Sequence, residues 1–132
     1  MEPEDVVYVL RNMVDAVRPG GAVLDLQVIR PDPVVEVDDR IVCEVDGEPL
    51  LRRADAAAAA IDAFVLDGRL SEEAVDDHDI RKHYVNGAAL VDDFSDKERR
   101  LPDTALPGLL AEERPCVVRE RCRLRQLEVS ES

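Results

Sequence analysis

The chain has 132 residues, 45% of them apolar, with no Trp and only Tyr8, Phe64, Tyr84 and Phe94 as aromatics, so its core must be aliphatic. Thirty acidic residues against 17 basic give a net charge of −13. A surface that acidic repels phosphate backbones and anionic lipid heads, which disfavours nucleic-acid and membrane partners, and no apolar run approaches the roughly 20 residues needed to cross a bilayer.

Residues 3–18 place Val6, Val7, Leu10, Met13, Val14 and Val17 on one stripe at helical spacing. Pro3 suits a first turn, Glu2, Glu4 and Asp5 suit the positive end of the dipole, and Pro19-Gly20-Gly21 stops the helix. AVLDLQVI (22–29) reads as a largely buried strand ended by Pro31 and Pro33. VVEV (34–37), a DDR turn and IVCEV (41–45) form an antiparallel excursion. Asp46-Gly47 predicts a further hairpin turn into EPLL (48–51).

ADAAAAAIDAFVLDG (54–68) is the second main helix, because Ala has the highest helix propensity. Its buried stripe is Ala57, Ile61, Phe64 and Val65, and Gly68 is placed as the left-handed residue beyond its end. A strand is expected near 72–79, a short helix over 87–96 after Asn86-Gly87, and a broken or short helix over 101–113. PCVVRERCRLRQLEV (115–129) is the clearest strand. The whole, 1–132, reads as one domain with a frayed tail at 129–132: a small mixed α/β or α+β sheet with a hairpin excursion and two main helices.

The segment MVDAVRPGGAVLDLQV (13–28) resembles the helix-to-strand passage of class I S-adenosylmethionine-dependent methyltransferases, where a similar Arg-Pro-Gly-Gly precedes the fifth strand. The later order of elements is similar as well, and HYVNGAALVDDFSDKERRLP (83–102) is like the segment between that family's last two strands. The resemblance implies the C-terminal half of a Rossmann-like fold, with the last strand inserted antiparallel between the fifth and sixth. It also implies what is missing. The family seats its cofactor on a Gly-rich loop after the first strand and an acidic residue ending the second. No G-x-G occurs here, and Gly20-Gly21 precedes a strand. No cofactor residue carries over, so the chain alone is not expected to methylate anything. The strand at 22–29 then lacks the neighbour it has in the family. Its edge must pair with a second copy, with another chain, or lie under the 34–51 hairpin.

Three candidate sites remain. Arg119, Arg121, Arg123 and Arg125 share one face of the last strand and offer guanidinium forks to a carboxylate or phosphate, unless cross-strand acids take them. Asp76 with His78 project together from the 72–79 strand and are candidate metal ligands, with Asp77, Asp79 and His83 nearby. Cys43, Cys116 and Cys122 form no CxxC pair, and about 20 Å separates the last two along one strand, so reduced structural thiols in a cytoplasmic chain are expected. Ser71, Ser95, Ser130 and Ser132 fall in loop or tail contexts with no nucleophile elbow. The expected roles are thus a non-catalytic, methyltransferase-like assembly domain, probed against two rivals: a subunit of a split methyltransferase and a binder of small anions.

Overall fold

Alternating helical and extended patterns become ten short elements in the computed structural model, which describes residues 3–97 and 99–130 and, within these, the side chains of all but 3–8 and 10. They are α1 (Pro3–Ala16), β1 (Ala22–Val28), β2 (Val34–Val37), β3 (Arg40–Glu44), α2 (Leu50–Leu66), β4 (Leu70–Tyr84), α3 (Gly87–Phe94), a 3-10 turn (Asp103–Ala105), α4 (Leu106–Leu110) and β5 (Cys116–Val129). The fold is mixed α/β of the α+β kind. Its antiparallel sheet runs β1-β5-β2-β3, with β4 also paired to β5. Two compact units divide the chain. One holds α1, β1, α2 from Arg52, β4 to His78 and β5 from Cys122; the other holds residues 29–51 and 79–121.

In the first unit, β1 pairs antiparallel with β5 in unbroken register from Ala22↔Glu128 to Val28↔Cys122. Alternation sends Val23, Leu127 and Val129 to one face, where they pack with Val14 of α1 and Ala60, Ile61 and Phe64 of α2. Ile61 and Leu127 have no exposed surface. Burying aliphatic side chains of this size contributes about 1.5–3 kcal/mol each. Of the predicted α1 stripe, Val14 is buried and Met13 is exposed; the side chains of Val6, Val7 and Leu10 lie outside the described residues.

Helix α2 stops where the sequence says. Gly68 takes φ +79°, its N–H donates to Val65 O, and Arg69 N–H donates to Phe64 O, the paired bonds of a Schellman turn. Of the tail expected to fray at 129–132, Val129 belongs to β5 and Ser130 N–H donates to Arg69 O, while 131 and 132 lie outside the described residues.

In the second unit, β2 and β3 form a hairpin whose turn residues Asp38 and Asp39 both have positive φ, 52° and 62°. That is a type I′ turn, whose twist matches the flanking strands. β2 pairs with β5 at residues 117–119. Val35, Val37, Val45, Leu90, Phe94, Leu109, Cys116 and Val118 make the core here. Asn86 Oδ1 caps α3 by accepting from Ala89 N–H at 2.9 Å. Gly87 is required by contact: a Cβ there would lie 1.8 Å from Leu109 O, so only glycine lets α3 start against α4.

The structure corrects the reading of 46–51. Asp46-Gly47 makes no hairpin, and EPLL is no strand, because α2 already starts at Leu50. Asp46 instead turns the chain with its side chain, Oδ1 accepting from Glu48 N–H at 3.0 Å. Gly47 is needed for space, with its Cβ position 2.7 Å from Leu51 Cδ1. The strand foreseen near 72–79 is longer, spanning Leu70–Tyr84, and includes Ser71.

Candidate functional site

Strand alternation puts Arg119, Arg121, Arg123 and Arg125 on one face of β5, as predicted, and β4 supplies acids against each. In the first unit Arg123 grips Asp77 with two parallel bonds, Nε at 2.8 Å and Nη2 at 3.0 Å. The Asp77 carboxylate holds the Arg123 guanidinium above its ordinary pKa. Arg125 is 7% exposed; its Nε donates to Glu72 at 2.6 Å and its Nη2 to Asp62 at 2.9 Å. In the second unit Arg119 donates to Glu36 at 3.1 Å, and Arg121 reaches Asp79 at 3.3 Å. Each guanidinium therefore already faces a carboxylate. An incoming anion has to displace one, in a chain with an excess of them.

Asp76 and His78 do project together, and His78 Nδ1 comes within 2.9 Å of Asp76 Oδ2, without the angles of a hydrogen bond. Among the described residues no three His, Cys, Asp or Glu side chains converge as a metal cage. The cysteines carry thiols, Cys43 half-buried and Cys116 and Cys122 buried. Burial pushes the Cys43 and Cys116 thiols up, which favours their protonated form. Nor do the glycines fit a methyl-donor cradle. Gly20 N–H is used on Val129 O, Gly21 N–H on Arg18 O, and the space beside Gly21 is filled by Val17 at 2.5 Å from its Cβ position.

A polar cluster on α3 and β4 joins residues that no sequence motif singled out. Asp93 Oδ2 accepts from Tyr84 Oη at 2.6 Å and from Lys82 Nζ at 3.0 Å. Tyr84's hydrogen bond, then Lys82's, draws the Asp93 carboxyl below its usual range, while burial first and Asp93 second push the Tyr84 phenol up. The only sequence signal was a Tyr and an acid bracketing the Asn86-Gly87 turn. Nearby, Lys97, Arg99, Arg100 and Phe94 line an open cleft of about 430 Å³. Two of its three cations are engaged, however, Arg99 with Glu120 and over the Phe94 ring, and Lys97 3.9 Å from Asp93. The cleft beside the hairpin, about 420 Å³, is lined by Asp32, Glu44, Asp46 and Asp103 against Arg100 and so repels anions.

Among the described residues the strands that pair on one side only are β1, β3 and β4, and their outer edges differ. Val129 N–H donates to Gly21 O, and Ile29 N–H to Arg121 O, so odd-numbered residues of β1 turn their backbone groups to β5. Ala22, Leu24, Leu26 and Val28 turn theirs outward. No strand among the described residues pairs with that side. The same even-numbered positions leave Leu24 65% and Leu26 54% exposed on one face. β4 is protected against stray pairing by Glu72, Glu73, Asp76, Asp77, Asp79, Arg81 and Lys82 along its length. β3 exposes Ile41 and Val42, but as consecutive residues they point to opposite faces. β1 has one charge, Asp25, turned away from its leucines. No protein-family model matches the chain, and comparison with curated proteins and with solved structures gives no match.

Proposed function

We propose that this chain is a non-catalytic assembly domain that offers the outer edge of β1 to another β-strand. One observation carries the reading: β1 presents outward backbone groups beside two exposed leucines and lacks the charges that guard β4. The rival features are used up internally, the arginines on carboxylates and the glycine N–H groups on backbone oxygens.

A second reading, the subunit of a split methyltransferase, is favoured by strand order. β5 runs antiparallel to β1 and also pairs with β4, the arrangement that the family resemblance implies for its last strand. The outer edge of β1 is then where a separate chain carrying the Gly-rich half docks.

Both readings are tested by hydrogen exchange at the amides of Leu24, Leu26 and Val28, with the mass measured by light scattering. The purified chain is studied alone and after co-expression with the chain encoded beside it. Slow exchange in an assembly larger than one chain is expected. A monomer with fast exchange at all three amides in both samples overturns the assembly reading.

A further inference from the structure

We propose that the strand docking on β1 is β1 of a second copy, in an antiparallel two-fold pair centred on Leu26. This rests on the reading of β1 as a docking edge and names its occupant. The argument is one of register. Because even-numbered residues turn their backbone groups outward, any antiparallel copy must match even with even to exchange N–H···O bonds. Centring on Leu26 sets Leu26 against its own copy and Leu24 against Val28, and every pair on the exposed face is then apolar.

The opposite face chooses between registers. Centring on Leu26 sets Asp25 of one copy against Gln27 of the other, twice by symmetry. Gln27 Nε2 already donates one hydrogen to Asp25 Oδ1 of its own chain at 2.9 Å, which leaves its second N–H for the facing carboxylate. Centring on Asp25 would give one more hydrogen-bonded pair but bring two Asp25 carboxylates face to face, which is destabilising, and set each Gln27 amide against Val23, which has no side-chain acceptor to offer it. Centring on Leu24 would oppose Leu26 to Ala22 and forfeit apolar contact. The strand is thus self-complementary in one register, with amide against carboxylate on one face and aliphatic against aliphatic on the other. Three hydrogen-bonded pairs, Leu24 with Val28, Leu26 with Leu26 and Val28 with Leu24, supply about six backbone bonds.

Single-cysteine trapping tests this on the full chain. In a hydrogen-bonded antiparallel pair the facing Cα atoms lie about 5.5 Å apart, within disulfide reach. Under mild oxidation Leu26→Cys is expected to give a covalent dimer on a non-reducing gel. Asp25→Cys and the unmodified chain, which carries the native cysteines, are expected to give none. Gln27→Glu places like charges opposite each other at two symmetric pairs and is expected to raise the dimer Kd about 5- to 30-fold, with Asp25→Asn restoring it. Cross-linking by Asp25→Cys in place of Leu26→Cys overturns the register. A monomeric mass with no cross-link from either overturns self-pairing. If the β1 amides are then protected only beside another chain, the assembly reading survives its loss.

Discussion

Arg125 is the one buried charge among the described side chains, and its two partners differ in what they contribute. Glu72 is about one-third exposed, whereas Asp62 is 69% exposed, where solvent screens the pair. Arg125→Met is therefore expected to lower unfolding stability by about 1–3 kcal/mol, since it strands Glu72 and opens space against the core. Asp62→Ala should cost under about 1 kcal/mol. Urea denaturation of both variants compares them, and equal losses would refute the division. The alternation that put four arginines on one face was legible in the sequence. Their partners were not, because which acids face them depends on how β4 aligns with β5, and β4 offers an acid at many of its positions.

Tyr84 and Asp93 make a second residue-level case, with opposite signs. The Asp93 pKa is depressed in the folded chain, so its stabilising contribution is present above the ordinary carboxylate value of about 4 and is lost as pH falls through the folded one. Tyr84 is raised, so its contribution is present below the ordinary phenol value of about 10 and is lost as pH rises beyond it. This pair should support a stability plateau between roughly pH 4 and 10. With two tyrosines and no Trp in the chain, an ultraviolet titration reads the phenols directly. A late ionisation step is expected, and Tyr84→Phe should abolish it; its persistence in that variant would assign it elsewhere.

At the scale of elements, the turn chemistry of the two Asp-containing turns explains what sequence reading caught and what it lost. Asp38-Asp39 is a true two-residue hairpin turn, held in positive φ and tied to Arg114 through Asp38 at 2.5 Å. Asp46-Gly47 carries the stronger hairpin signal but makes none, since Gly47 N–H faces Asp32 Oδ1 at 3.3 Å and Leu51 fills the space beside it. A glycine selected for close packing and one selected for positive φ look the same in a sequence. The length of β4 was also hidden: its middle is exposed and highly charged, so no apolar alternation marks it, and pairing with β5 defines its extent instead. Positive φ costs Asp39 some strain that glycine would not have. Asp39→Gly is expected to raise stability by about 0.5 kcal/mol, and Asp39→Val to lower it by about 1–2 kcal/mol. Thermal unfolding followed by circular dichroism checks both, and an unchanged Val variant would argue against the type I′ turn.

For the whole molecule, net charge opposes the self-pairing proposed for the β1 edge. Two chains of −13 repel on approach, and that repulsion acts over distances where dissolved ions screen it, with a Debye length near 10 Å at 0.1 M salt. The contacts proposed to hold the pair are of another kind. Backbone bonds and leucine contacts are short-ranged and uncharged, and the amide-to-carboxylate contacts involve one charge each, so salt weakens none of them greatly. Added salt should therefore tighten the dimer. Raising sodium chloride from about 0.02 to 0.3 M is expected to lower the dissociation constant about three- to tenfold, mainly through faster association. Sedimentation equilibrium at several salt concentrations measures the trend. A dimer that loosens as salt rises would mean that opposite charges bridge the two copies, and a surface other than the uncharged leucine row of β1 would then have to hold them together.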